Sequence, residues 1–238
     1  MADFELLQTS HAGAALQGNV HAPAGPGPHP AVLVMSTAMG MGDLANNACA
    51  ALAREGYLAV ATDMYGGGAG FVDDIEASAK AIGPLMTEDG LLRARVVHWF
   101  EAVRALPNVD PARVAAIGYC FGGQCVLELA RSGAEVTAVV SYHGLLTTRA
   151  PARPGAIKAQ VCAYTGRLDP YAPRDHVEGF RDEMIAADAR FHITELGNSW
   201  HSFTDPDAAR VPVPGVQFDA LARDVSWAGT LAVLKALC

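Results

Sequence analysis

The chain has 238 residues, 51% of them hydrophobic and 18% charged, and its 17 basic against 25 acidic residues give a formal net charge of −8. That balance supports a substantial buried core and excludes a disordered chain; an acidic surface with no basic cluster also excludes a nucleic-acid binder. No apolar run is long enough to span a bilayer, since the nearest, Val114 to Ala130, carries Gly122, Gly123, Gln124 and Glu128 in its middle.

The start, Met1-Ala2-Asp3-Phe4-Glu5, has neither the basic beginning nor the apolar stretch of a secretory signal. Five cysteines are an odd number, widely spread, with no CxxC pair and no zinc spacing. Reduced thiols in a soluble, cytoplasmic protein are the expectation, without a bound metal.

In chain order, Phe4 to Thr9 and Leu16 to His21 read as a small hairpin. The Pro/Gly stretch Pro23 to Pro30 has too little chain before it to separate domains, so one domain over residues 1–238 is expected. Ala31 to Met35 is a strand, Leu44 to Arg54 a helix stopped by Gly56, and Leu58 to Ala61 a strand leading to Asp63-Met64-Tyr65 and a glycine cluster. Ile75 to Met86 and Leu91 to Leu106 are helices, Val114 to Ile117 a strand, Gln124 to Arg131 a helix, and Val136 to Ser141 and Ala159 to Tyr164 strands. Val177 to Ala187 is a helix, Phe191 to Leu196 a strand, and Phe218 to Leu237 a long closing helix, with Pro-rich loops at Pro151 to Pro154 and Val211 to Gly215. Nearly unbroken apolar strands separated by helices predict an α/β fold with a mostly parallel sheet covered on both faces. Chemistry in such a sheet sits in the loops beyond the carboxyl ends of the strands.

One such loop is Gly118-Tyr119-Cys120-Phe121-Gly122-Gly123, between a strand and a helix. This is the G-x-S-x-G elbow with cysteine in place of serine. Its glycines keep Cβ atoms out of a crowded strand-to-helix turn, and the helix N-terminus lowers the thiol's pKa. The bland reading is a buried cysteine beside a tight turn, and it suits Cys49, Cys125, Cys162 and Cys238 better. A nucleophile at an elbow needs a base held by an acid, in the order nucleophile, acid, histidine. Asp169, in Gly166-Arg167-Leu168-Asp169-Pro170, and His201, in Trp200-His201-Ser202-Phe203, both follow strands and keep that order. Asp169 alone would read as a turn former and His201 as a packed structural histidine. His143 also follows a strand but precedes Asp169, and reads as a pocket-lining residue. The oxyanion would take one N–H from Phe121 and another from near Ala38 or Met39, with Met39 the selected donor.

Ile117 to Gly123, Thr62-Asp63-Met64-Tyr65-Gly66, Gly166 to Asp169 and His201-Ser202-Phe203 together resemble the dienelactone hydrolase family of α/β-hydrolases, over most of the chain from about Ala31. The resemblance implies a Cys120–His201–Asp169 triad and hydrolysis of an enol-lactone or related ester through an acyl-enzyme, without cofactor. The candidate substrate pocket is Ala38, Tyr65, His143 and Trp200, in a monomer or small homo-oligomer with no membrane or nucleic-acid partner. Two departures stand out. Thr37-Ala38 occupies the place where the family carries His-Glu, and Asp205 the place of a substrate-binding arginine, which turns the expectation towards a neutral ester or lactone unless Arg167, Arg174 or Lys80 reaches the site. A catalytically weak member that binds a small hydrophobic ligand, and a redox protein pairing Cys120 with Cys125, are the alternatives.

Overall fold

The computed structural model describes residues 4–71, 74–210 and 213–238. Met1 to Asp3, Val72 and Asp73 at the end of the glycine loop, and Val211 and Pro212 of the last Pro-rich loop lie outside the described residues.

The predicted hairpin is β1 (Glu5–His11) and β2 (Ala14–His21). Ala12 and Gly13 turn the chain, both with positive φ (48° and 77°), as a two-residue primed turn requires. The alternation then follows: β3 (His29–Met35), α1 (Asp43–Arg54), β4 (Leu58–Thr62), α2 (Ile75–Thr87), α3 (Leu91–Arg104), β5 (Val109–Tyr119) and α4 (Phe121–Arg131). It continues with β6 (Ala138–Tyr142), β7 (Gln160–Gly166), α5 (Arg174–Ala186), β8 (Arg190–Leu196) and α6 (Ala220–Leu237). The eight strands form one sheet in the order β1-β2-β4-β3-β5-β6-β7-β8. β1 and β2 are antiparallel, and all pairings from β4 across to β8 are parallel.

Period-two alternation splits each central strand between two cores. Val32 and Val34 of β3 and Ala115 and Ile117 of β5 lie under α1 and α6. Leu33 and Met35 of β3 and Ala116 of β5 face the other side, with Trp99 and Phe100 of α3, Val126 of α4 and Phe180 of α5. A buried arginine ties that second layer together. Arg131 on α4 bonds Glu128 (3.0 Å), Glu183 on α5 (2.7 Å) and the Leu146 carbonyl (2.8 Å).

Two boundaries differ from the sequence reading for physical reasons. β5 runs back to Val109 instead of starting at Val114, because Val109 pairs with His29 of β3 and residues 110–113 are taken up in a register irregularity before pairing resumes at Ala31–Val114. α4 starts at Phe121 instead of Gln124. Gly122 and Gly123, which read as loop, are helical, and they are glycines because a Cβ at Gly122 would run into the Met35 carbonyl and one at Gly123 into Gly144. Those glycines let the helix start touch neighbouring backbone.

Candidate active site

Cys120 is the turn between β5 and α4. It holds φ 54° and ψ −115°, a region that a non-glycine residue enters at a cost of about 1–3 kcal/mol. The surroundings over-determine it. A Cβ at Gly118 would collide with the Gly122 carbonyl, and the Cys120 N–H is shared between the Tyr142 carbonyl (3.0 Å) and Nδ1 of His143 (3.1 Å). The side chain is left partly exposed at the helix N-terminus.

Asp169 and His201 meet because their loops pack backbone on backbone at Gly166, where a Cβ would strike the Ser199 and Trp200 carbonyls. Leu168 N–H donates to the Ser199 carbonyl (3.1 Å). The His201 backbone is clamped by the chain that follows: its N–H donates to Gly215 (3.0 Å) and its carbonyl accepts from Gln217 (3.0 Å). Asp169 is 2% exposed. One of its carboxylate oxygens accepts the Tyr171 N–H (2.8 Å) and the other accepts Nδ1–H of His201 (2.8 Å). That bond fixes the tautomer, so Nε2 is the imidazole atom that meets the Cys120 sulfur.

The electrostatics favour a charged pair. Burial opposes ionisation of Cys120, but the positive charge of His201, its hydrogen bond to the sulfur, and the N–H groups of Ala38 and Phe121 together bring the thiol below its ordinary value. Burial likewise opposes the His201 imidazolium, yet the Cys120 thiolate and the Asp169 carboxylate raise it to about 10. The reciprocal shifts describe a thiolate–imidazolium couple with the carboxylate behind it.

The two amides turned to the sulfur belong to Phe121 and Ala38. Met39, the expected second donor, is spent elsewhere. Its N–H caps the Thr37 hydroxyl (3.2 Å) and its carbonyl accepts the Phe71 N–H (2.8 Å), stitching this loop to the glycine loop. The Ala38 carbonyl takes two hydroxyl donors, Tyr65 Oη (2.8 Å) and Ser78 Oγ (2.6 Å). Tyr65 is aimed in turn by Asp63, a buried carboxylate that accepts the N–H groups of Tyr65 (2.8 Å), Gly66 (2.9 Å) and Gly68 (2.8 Å). Burial, with the charges of Cys125, Cys120 and Asp63, holds the Tyr65 phenol protonated.

Other expected pocket residues separate. His143 has no exposed surface, so it does not line the pocket. Its positive φ (39°) tucks the ring behind the elbow, where Nδ1 accepts the Cys120 amide and Nε2 bonds the Thr204 hydroxyl (2.8 Å). The His201 ring meets it edge-on at 5.1 Å. Trp200 stands 36% exposed beside His201 in the chain, with Leu168 (40%) and Tyr171 (41%) exposed on the Asp169 loop. Tyr171 also covers the His201 ring at 4.7 Å. Ser78 and Thr204 were not foreseen; a serine on a helix and a threonine in a loop carry no pattern that marks them. Arg174 is tied to Glu178 (2.8 Å) at the surface. All five cysteines are free, and Cys125 is buried with its thiol pushed well up by desolvation. Among the described residues no helix is long and apolar enough to cross a membrane, and no three His, Cys, Asp or Glu side chains gather in a metal-binding group.

Known proteins agree with this architecture. An uncharacterised Caenorhabditis elegans protein is 34% identical over 63% of this chain and 98% of its own length. A protein of Escherichia coli O157:H7, provisionally named carboxymethylenebutenolidase, is 28% identical over 74% of this chain and 68% of its own. The crystal structure of a dienelactone hydrolase-like promiscuous phosphotriesterase from metagenomic libraries superposes with a TM-score of 0.89, at 32% identity, covering 99% of this chain and 98% of that one. The sequence profile of the dienelactone hydrolase family matches residues 16–238, and on that match the chain, with its α/β-hydrolase fold, belongs to the dienelactone hydrolase family.

Proposed function

We propose that the protein hydrolyses a neutral ester or lactone through an acyl-enzyme on Cys120. The observation that carries the reading is the line Asp169–His201–Cys120, with the sulfur facing the amides of Ala38 and Phe121. The Cys120 thiolate attacks the carbonyl carbon, forming the C–S bond and moving the π pair onto oxygen, where the two N–H groups receive it. The pair returns, the C–O bond to the leaving group breaks, and the His201 imidazolium gives that alkoxide its proton. His201, now neutral, takes a proton from water as the water adds to the thioester; collapse releases the acid and restores the thiolate–imidazolium pair. No cofactor enters these steps.

Neutral substrates are favoured by what surrounds the histidine. Leu168, Tyr171 and Trp200 offer apolar surface on the two loops that hold Asp169 and His201, and Arg174 is committed to Glu178. Three measurements test the proposal. Cys120→Ala is expected to abolish turnover of p-nitrophenyl butyrate, and iodoacetamide to label Cys120 before the other thiols. A mutant that retains turnover refutes the mechanism. The anionic mono-p-nitrophenyl succinate should show kcat/KM roughly tenfold lower than the neutral ester, about the 1.4 kcal/mol of an unfavourable charge; equal values refute the substrate class.

A further inference from the structure

Behind the elbow, on the α1/α6 side of the sheet, lies a second cleft of about 310 Å³. The ends of β5 and β6 form its floor through the rings of Tyr119 and Tyr142, stacked at 4.9 Å, and Leu44, Ala48 and Trp227 close the sides. Its rim is acidic. Asp43, Asp205, Asp207 and Asp224 surround it; Arg223 is already bonded to Asp224 (2.8 Å) and laid over the Phe218 ring at 5.2 Å, and the charge of Arg210 acts on Asp205. Tyr119 is only 4% exposed, yet its hydroxyl has no hydrogen-bond partner among the described residues.

We infer that this cleft is a second binding site, for a compact organic cation: an ammonium group on a small aromatic or alkyl body. The body stacks among Tyr119, Tyr142 and Trp227, where aromatic faces also attract the positive charge. The ammonium sits among the rim carboxylates, and a polar atom of the ligand satisfies Tyr119. An anion of the same shape would face four carboxylates and is excluded. The chemistry differs from that of the ester site, whose exposed rim is apolar.

The cleft reaches the Cys120 backbone through two hydrogen bonds. Thr204 lines it. Because the Cys120 amide can only donate, Nδ1 of His143 is the bare nitrogen, so Nε2–H donates to Thr204. A ligand that moves Thr204 therefore moves His143, which supports the Cys120 backbone and the His201 ring. This coupling, unlike the binding itself, rests on Cys120 being the nucleophile.

Isothermal titration of the full chain with Cys120 alkylated by iodoacetamide separates the two sites. Phenethylammonium is expected to bind with one-site saturation, with 2-phenylethanol several-fold weaker and phenylacetate at least tenfold weaker. Ala48→Phe fills the cleft and should abolish binding; the exposed pair Asp43→Asn with Asp224→Asn, which leaves the packing untouched, should weaken the cation several-fold and leave the alcohol unchanged. No saturable binding, equal affinity for cation and anion, or insensitivity to both variants overturns the site. In the unblocked enzyme, phenethylammonium should change kcat/KM for p-nitrophenyl acetate at least twofold, half-maximally at the calorimetric Kd. The change should vanish in Ala48→Phe; an unchanged kcat/KM overturns the coupling while the binding result stands on its own.

Discussion

The Ala38 amide is held in place through two side-chain hydroxyl groups. Its residue's carbonyl accepts Tyr65 Oη at 2.8 Å and Ser78 Oγ at 2.6 Å, so either hydroxyl alone still satisfies it. Tyr65→Phe keeps the ring against Phe121 and Phe71 and removes one neutral hydrogen bond, a net change of about 1 kcal/mol. Each single change, Tyr65→Phe or Ser78→Ala, should lower kcat less than about fivefold. The double change leaves a buried carbonyl without a partner, about 1–3 kcal/mol, and frees the peptide beside it to turn its N–H from the oxyanion. Losing one oxyanion donor outright costs about 2.7–4 kcal/mol in known enzymes. A loosened donor should cost part of that, about 2 kcal/mol, or roughly thirtyfold in kcat. The effect should exceed the product of the single effects and leave KM little changed. A further readout separates aiming from mere folding. The Ala38 N–H also helps to keep the thiol ionised, so the double variant should raise the Cys120 pKa, measured by thiolate absorbance at 240 nm. A folded double variant with kcat within twofold of the parent and an unmoved thiol titration refutes the anchoring argument.

The pH behaviour follows from the pair. The raised His201 imidazole contributes stability that is complete below its ordinary value of 6.5 and is lost as pH climbs through about 10. The lowered Cys120 thiol contributes above its ordinary value of 9.0 and loses that contribution as pH falls through the depressed one. Alkylation by iodoacetamide should thus stay fast through neutral pH. Asp169→Asn, by lowering His201, should weaken the pair and slow alkylation near neutral pH while leaving the rate at high pH, where the thiol ionises regardless, unchanged; an identical profile in that variant removes the carboxylate from the pair. Arg131→Leu strips the partly buried Glu183 carboxylate of its cation and leaves the buried Glu128 with Arg93 alone, a cost of about 3–5 kcal/mol. At roughly 2–4 °C per kcal/mol for a chain of this size, Tm should fall by roughly 6–20 °C; a fall under 3 °C by calorimetry refutes the reading of that network.

Sheet, helices and elbow were legible because each rests on a local pattern. Apolar strands such as Ala31 to Met35, and glycines at fixed offsets from Cys120, express constraints within a few residues of one another. The order of Cys120, Asp169 and His201 was legible for the same reason: each follows a strand, and a parallel sheet brings strand ends together. The sequence reading left the second amide between Ala38 and Met39 and selected Met39. Whether Ala38 or Met39 turns its amide inward depends on a contact between two loops, Met39 with Phe71 and Met41 with Ala69, which no spacing in either loop encodes. His143 was misplaced for a related reason, since a residue just past a strand end can face the cleft or fold beneath it. Its positive φ and the Thr204 hydroxyl, 61 residues away, decide that in space alone.

The alanine at position 38 then has a physical account. A carboxylate near the nucleophile is useful when the resting thiol is neutral and must be deprotonated on demand. Here the sulfur is already bonded to His201, with Asp169 behind it at 2.8 Å, an arrangement that favours the ion pair before substrate arrives. Ala38→Glu would add a negative charge beside a thiolate, and like charges in a partly buried site disfavour ionisation of both. The substitution should raise the thiol pKa and lower kcat/KM for p-nitrophenyl butyrate several-fold at pH 7, the loss shrinking as pH rises and the thiol ionises regardless. Steric obstruction would behave differently, because Ala38→Gln has the same bulk without the charge and should lose less activity with no such pH dependence. If Ala38→Glu instead raises kcat/KM, thiolate formation limits the parent enzyme, and the preformed pair is not its resting state.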